Sequence, residues 1–150
     1  MRYKIYLDSC CFNRPFDDLS QEKIRLECEA VLTILKYCDE GRWAAYKSDI
    51  LDDEIDRITD VFKKIKVVML YAAAVMRIDI NDMIIKRAKE LQQRAIIKPF
   101  DALHLASAEY SGADILLTTD KNFINRAARS DAKINVANPV VWLSEVMFHD

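Results

Sequence analysis

Short apolar runs recur along the chain and predict strands. The stretches YKIYL (3–7), WAAYKS (43–48) and DILLTT (114–119) are rich in β-prone residues, and their length suits buried strands. VMRI (75–78) and INVA (134–137) predict two shorter strands of the same kind. The clearest strand among these runs is DILLTT, which is expected to be buried inside a sheet.

Between these runs, apolar residues recur every three or four positions, as they do in amphipathic helices. Helices are predicted over residues 20–39, 49–58, 60–73, 81–94, 99–110 and 122–129, and a last helix after Pro139. In the first of them, Ile24 and Leu26 belong to the predicted apolar face, Ser20 suits the N-cap, and Gly41 suits the position just past the end. Pro99 suits the first residue of the fifth helix.

The alternation of strands and helices predicts an α/β fold with a central, mainly parallel β-sheet flanked by α-helices. The 150 residues are expected to form a single domain over positions 1–150. In such sheets, sites form just beyond the carboxyl ends of the strands. Asp8 and Asp120 each directly follow a predicted strand, so both acids are expected at that edge.

Composition excludes some classes of protein and leaves others open. The net charge of −2 does not by itself indicate a polyanionic partner. The first residues do not read as a signal peptide, and the longest apolar run, residues 67–76, is far shorter than the roughly 20 residues of a membrane span. A cytoplasmic protein is therefore expected. Neither a glycine-rich phosphate loop nor a G-x-S-x-G elbow is present.

The cysteines and histidines do not form a metal-binding pattern. The chain lacks a C-x-x-C pair, which disfavours a zinc site and favours buried, reduced thiols. His104 lies in the middle of an apolar helix and is expected to be a packed or surface histidine rather than a ligand. The cysteines are Cys10, Cys11, Cys28 and Cys38.

Four acidic residues are candidates for chemistry, although each also has a structural explanation. Asp8 could begin a turn, Asp120 could cap a helix, and Asp101 could interact with a helix dipole. Glu54 lies among other acids on a helix and could be solvated. If the four carboxylates converged, they could not all stay ionised without a cation, and oxygen ligands of this kind suit Mg²⁺ or Mn²⁺. Composition alone does not establish that they converge.

The order of four segments carries a family resemblance. These segments are IYLDSCCFNRPFDD, SDILDDEI, KPFDALHLASAE and ADILLTTDKNF, and the closing INVANPVVWLSE adds to them. The chain resembles a PIN-domain protein, the nuclease fold of VapC-type toxins and related RNA-processing enzymes. The resemblance implies that Asp8, Glu54, Asp101 and Asp120 converge as the catalytic and metal-binding residues.

The resemblance also implies an activity and partners. The expected function is a divalent-metal-dependent endoribonuclease that uses Mg²⁺ or Mn²⁺ to hydrolyse RNA, as the toxin of a type II pair with a small antitoxin protein. The alternative is a non-catalytic PIN-fold module that holds RNA or a protein. A homodimer is expected because the helices at 20–39 and 60–76 are more apolar than one small core needs.

Supporting roles are predicted for residues that flank the acids. The segment after Asp8 departs from many family members because two cysteines follow Ser9, which leaves the role of the Cys10–Arg14 loop open. The residues predicted to orient an acid or water, or to contact phosphate, are Ser9, Asn13, Arg14, Lys98, Thr118, Thr119 and Lys121.

Overall fold

A five-stranded parallel sheet lies at the centre of the fold. The structure is a computed structural model that describes residues 2–149. The strands stand in the order β3-β2-β1-β4-β5, and every neighbouring pair is parallel. This architecture confirms the predicted α/β fold. The strands are β1 (Lys4–Leu7), β2 (Ala44–Ser48), β3 (Met76–Ile78), β4 (Ile115–Leu117) and β5 (Val136–Ala137).

The middle strand, β1, fixes which carboxyl ends lie side by side. Its residues Ile5, Tyr6 and Leu7 are all fully buried, as expected for a strand covered on both faces. Leu7 pairs in register with Leu117 of β4, and Ile5 pairs with Ala45 of β2. The residues that follow β1, β2 and β4 therefore emerge at one edge of the sheet.

Within residues 2–149, eight helices flank the sheet, and seven of them were predicted. None of the helices in residues 2–149 has the length and apolar character needed to cross a membrane. The helices are α1 (Ser9–Asn13), α2 (Glu22–Asp39), α3 (Asp49–Asp56), α4 (Val61–Tyr71), α5 (Asp82–Ala95), α6 (Pro99–Ser111), α7 (Lys121–Ala128) and α8 (Pro139–His149).

The segment after β1 is helical, so the prediction of a loop there was wrong. The Asp8 carboxylate accepts a hydrogen bond from the Ser9 amide and its carbonyl accepts one from the Cys11 amide, which begins the short helix α1. A 3₁₀ turn over Arg14–Phe16 follows, with proline in its first turn, where a missing N–H costs nothing. The helix therefore holds the cysteines in place.

Two details of α2 also correct the prediction. The helix begins at Glu22 rather than at Ser20, because the Ser20 hydroxyl donates to the Asp18 carboxylate at 2.6 Å instead of capping the helix. Leu26 is 44% exposed, whereas Glu27 beside it is buried. The face of α2 that packs inward therefore includes the charged Glu27, whose carboxylate is paired with Arg14. Gly41, at φ +75°, ends the helix as predicted.

The thiols are free, as expected, and three of them are buried. These are Cys11, Cys28 and Cys38, and burial raises the pKa of Cys38 to about 11. Cys10 is half-buried beside the acids, with its sulfur 3.3 Å from the Thr118 hydroxyl. The expectation of packed thiols is confirmed for the three buried residues.

Candidate active site

The connections after three neighbouring strands bring acidic side chains to one edge of the sheet. Asp8 directly follows β1, and Asp120 lies three residues after the end of β4. Glu54 lies on α3, which starts directly after β2. The start of α3 is fixed by Ser48, whose hydroxyl accepts a hydrogen bond from the Leu51 amide at 3.1 Å.

Asp8 is the most buried of the four acids, at 6% exposed, and both its oxygens are held. Its Oδ1 accepts from the Ser9 amide at 2.7 Å, and its Oδ2 accepts from the Thr118 hydroxyl at 2.8 Å. The Thr118 oxygen also accepts from the Asp120 amide at 3.1 Å. Thr118 therefore joins the segment after β4 to the acid after β1.

Glu54 is held from two sides. Its Oε2 accepts from the Ser9 hydroxyl at 3.1 Å, and its Oε1 is hydrogen-bonded to Nε2 of His104. Burial acts to raise the pKa of Glu54, but the hydrogen bonds from His104 and Ser9 outweigh it, so this pKa is lowered. Ser9 therefore links the two acids, Asp8 through its amide and Glu54 through its hydroxyl.

His104 lies at the centre of this group and is fully buried on α6. Its Nδ1 lies 2.6 Å from the Tyr6 hydroxyl, and its Nε2 lies 3.6 Å from Oδ1 of Asp8. Burial acts to lower the pKa of His104, but the carboxylates of Glu54 and Asp8 outweigh it, so this pKa is raised. One possible ligand atom from each of Asp8, Glu54 and His104 lies within 4.8 Å of the others.

Asp101 stands one helical turn before His104. It is half-buried, and its pKa is raised to about 6, first by burial and then by the negative charges of Asp8 and Asp120. Ala102 and Ala108 of the same helix are fully buried, so the helix packs closely against its neighbours. Burial and the charges of Asp8 and Asp120 together disfavour the ionised form of Asp101.

Asp120 also serves as a helix cap, as one interpretation of the sequence proposed. Its Oδ1 accepts hydrogen bonds from the amides of Asn122 and Phe123 at 2.9 and 3.3 Å. Its charge nevertheless acts on Asp101, as the raised pKa of that group shows. Capping and participation in the acidic cluster are therefore compatible.

The flanking segment after Asp8 is engaged within the protein. The Asn13 amide donates to the Ser9 carbonyl at 2.9 Å. The Arg14 guanidinium donates to Asp17 and to the buried Glu27, both at 3.0 Å. Both side chains therefore make hydrogen bonds within the protein. Contact of Arg14 or Asn13 with phosphate stays a prediction.

The threonines and lysines near Asp120 differ in their surroundings. The Thr118 hydroxyl bonds to Asp8, whereas the contact of Thr119 with Cys10 runs through its backbone amide, 3.4 Å from the sulfur. Lys121 is exposed at the first residue of α7, and Lys98 is exposed just before α6. Their predicted phosphate contacts are untested.

His104 is the residue that sequence reasoning passed over. It is packed in the core, as expected, yet it contacts the acids. A signal was present, because a residue three positions after Asp101 lies on the same side of a helix. What the sequence could not give was the side of α6 that faces the sheet.

The donors at this edge suit a hard divalent cation. Carboxylate oxygens predominate, and such ligands favour Mg²⁺ or Mn²⁺, whereas the imidazole of His104 would favour a softer ion. The pKa of Asp101 is raised first by burial and then by the charges of Asp8 and Asp120, and a bound cation would offset the effect of those charges. The residues therefore fit a divalent metal, and an oxygen of Asp8, an oxygen of Glu54 and a ring nitrogen of His104 lie within 4.8 Å of one another.

Comparison with known proteins identifies relatives of the fold. VapBC2 from Rickettsia felis, bound to a DNA fragment from their promoter, matches with a TM-score of 0.63 and 12% identity, covering 90% of this chain and 98% of that one. PAE2754 from Pyrobaculum aerophilum matches with a TM-score of 0.56 and 11% identity, covering 98% and 99%. At such low identity, both similarities show the fold alone.

The sequence itself gives the family. No curated protein matches the chain significantly. Residues 5–129 match the family described as PIN domain, a span that includes Asp8, Glu54, Asp101 and Asp120. PIN domains are generally nucleases. Because the match covers most of the chain, from β1 to the end of α7, this chain belongs to the PIN domain family.

Proposed function

We propose that the chain is a divalent-metal-dependent endoribonuclease. One observation carries this proposal: the convergence of Asp8, Glu54 and His104 at the carboxyl edge of the sheet, within reach of the charge on Asp101. A partly buried group of like charges is costly without a cation, and carboxylates that share a cation are a common basis of phosphodiester hydrolysis. Membership of the PIN family supports the same conclusion.

In this proposal Asp8, Glu54, Asp101 and Asp120 hold Mg²⁺ or Mn²⁺. The ion, when bound, supplies an activated water and offsets the negative charge of the phosphate oxygens. The protein fixes the orientation of the acids before substrate arrives, because hydrogen bonds hold both oxygens of Asp8 and both of Glu54.

The exposed lysines are proposed to contact the RNA backbone. Lys121 follows Asp120 directly, and Lys98 precedes Asp101 by three residues. Lysines at such positions attract phosphate without reading sequence. They can therefore position a strand across the acidic edge.

Cleavage of an RNA panel tests the proposed function. Wild type is expected to cut RNA with Mn²⁺ and to stop when the metal is chelated, whereas Asp8→Asn and Asp101→Asn lose cleavage. Asp18→Asn is the control, because this exposed acid bonds only near the start of α2. Equal cleavage by wild type and Asp8→Asn, or none by either, contradicts the proposal. RNA bound but uncut by both proteins is the result expected of a non-catalytic PIN-fold module.

A toxin role with a small antitoxin protein is part of the proposal. The structural neighbour VapBC2 is bound to a DNA fragment from their promoter, which suggests a similar setting for this chain. A basic side chain of the partner would be attracted to the acidic edge. Expression of the chain in the cytoplasm of a host cell is expected to arrest growth, whereas expression of Asp8→Asn is not. Growth unaffected by the wild type counts against the toxin role alone.

A homodimer is also proposed, through the outer face of α4. Val61, Phe62, Ile65, Val68 and Met69 of this helix are all exposed, and apolar patches of this kind commonly mark interfaces.

A further inference from the structure

Three buried side chains form a line that ends on the half-buried Glu54. Ser48 closes β2, Tyr6 lies in β1, and His104 lies on α6. The Tyr6 hydroxyl is 2.7 Å from Oγ of Ser48 and 2.6 Å from Nδ1 of His104, and Nε2 of His104 meets Oε1 of Glu54. Ser48, Tyr6 and His104 are each at most 1% exposed, so water does not compete for these hydrogen bonds.

The available hydrogens give this line a direction. Glu54, as a carboxylate, can only accept, so the hydrogen of its bond with His104 lies on Nε2. When the ring carries this one proton, Nδ1 accepts from the Tyr6 hydroxyl, and the Tyr6 oxygen can in turn accept from Ser48. A doubly protonated ring would also carry a hydrogen on Nε2. His104 therefore donates to Glu54 in either protonation state.

We propose that His104 is a positioning residue for Glu54 and not a metal ligand. Both ring nitrogens already have protein partners, the Tyr6 hydroxyl at Nδ1 and Oε1 of Glu54 at Nε2, although Nε2 also lies 3.6 Å from Oδ1 of Asp8. The ring holds Oε1 of Glu54 while Ser9 holds Oε2, so the carboxylate is kept facing Asp8. This role rests on the proposed function, in which Glu54 binds the metal.

The consequence is that the metal affinity of the site depends on residues that do not touch the metal. Outer partners of metal ligands typically contribute 10–100-fold to affinity because they fix the ligand's orientation. Tyr6 shares this effect, since it is the group that orients His104. Removing the Tyr6 hydroxyl leaves the His104 imidazole in place but without its hydrogen-bond partner at Nδ1.

Calorimetric titration with Mn²⁺ tests this role without reference to RNA cleavage. His104→Leu is expected to bind Mn²⁺ about 10–100-fold more weakly than wild type. His104→Gln is expected to recover part of the loss, because its amide N–H can take the place of Nε2–H. Tyr6→Phe, which keeps the ring that fills the core, is expected to lie between wild type and His104→Leu. Tyr110→Phe, at an exposed site on the same helix, is the control.

Pulsed electron paramagnetic resonance of Mn²⁺ bound to the wild type makes the distinction sharper. With ¹⁵N-labelled histidine, no directly coordinated nitrogen is expected. A nitrogen coordinated directly to Mn²⁺ would overturn the positioning role. The same role would be overturned if His104→Leu and Tyr6→Phe both bound Mn²⁺ as tightly as wild type. Either result leaves the proposed function standing. Wild type that binds no Mn²⁺ would overturn both.

Discussion

The hydroxyl of Thr118 donates to Oδ2 of Asp8 at 2.8 Å, and this bond joins residues 110 positions apart in the chain. Thr118 is fully buried, and its oxygen also accepts from the Asp120 amide. The parallel pairing of β1 and β4 brings the two residues together, so the sheet register itself determines the geometry of the site.

Thr118→Val tests this relationship, because valine keeps the shape and removes the hydroxyl. The change is expected to lower the free energy of unfolding by about 2 kcal/mol, since Asp8 and the Asp120 amide both lose a buried partner. Mn²⁺ affinity is expected to fall by about tenfold. Urea denaturation and calorimetry measure the two effects. Thr33→Val on the outside of α2 is the control, with a change within about 0.5 kcal/mol; equal effects of both variants would contradict this.

The raised pKa of Asp101 predicts that the stability of the metal-free protein depends on pH. Its pKa is about 6 in the folded state against an ordinary value of 3.8, so the unfolded chain ionises first as pH rises. Wild type is therefore expected to lose stability relative to Asp101→Asn between about pH 4 and pH 6, and to hold that difference above pH 6.

Urea denaturation across this pH range measures the difference between wild type and Asp101→Asn. Saturating Mn²⁺ at pH 7 is expected to reverse it, because the cation favours the ionised acid. Asp39→Asn, at the end of α2, is the control, and Mn²⁺ is not expected to change its stability relative to wild type. A difference that does not change with pH would refute the stated effect of burial and of the neighbouring acids on Asp101.

Arg14 can act as a structural cation or as a phosphate contact, and one variant separates these roles. Arg14→Ala leaves the buried Glu27 without its cation, so the free energy of unfolding is expected to fall by about 3 kcal/mol. Arg25→Ala, which removes an exposed pair with Glu22, is the control, with a change within about 0.5 kcal/mol. Unchanged stability together with weaker RNA binding would assign Arg14 to the substrate instead.

The outer face of α4 predicts self-association. Phe62 is 79% exposed and Met69 is 70% exposed, which is costly for a helix with no partner. Sedimentation of wild type is expected to show a dimer, and Phe62→Glu a monomer. Met83→Glu on α5, a residue with 67% exposure, is the control and should remain dimeric. A wild-type monomer at every concentration tested would refute the proposal.

Much of the fold could be predicted because its signals are local. The apolar run before Asp8 and the run before Asp120 gave two of the three inner strands, and Gly41 and Pro99 marked helix boundaries that the structure confirms. The short helix α1 was missed because Asp8 itself begins it, through a hydrogen bond that sequence periodicity does not encode. The burial of Glu27 was missed because its partners, Arg14 and Asn138, lie far away in sequence.

The candidate site, too, could be predicted from the sequence only in part. Family resemblance gave the four acids, and strand order explains why three of them share an edge. The orienting groups, Thr118 and His104, depend on packing between β4 and α6 and on the side of α6 that is buried. Residue type alone could not give that orientation, since a histidine in an apolar helix is usually part of the core.

The central claim is that Asp8, Glu54, Asp101 and Asp120 form one divalent-metal site. Crystals soaked in Mn²⁺ measure this directly through anomalous scattering. A peak is expected between these carboxylates, bonded to oxygens of Asp8 and Glu54, and it should vanish in Asp8→Asn. Mn²⁺ density bound elsewhere on the chain, or none at the carboxyl edge of the sheet, would contradict the claim.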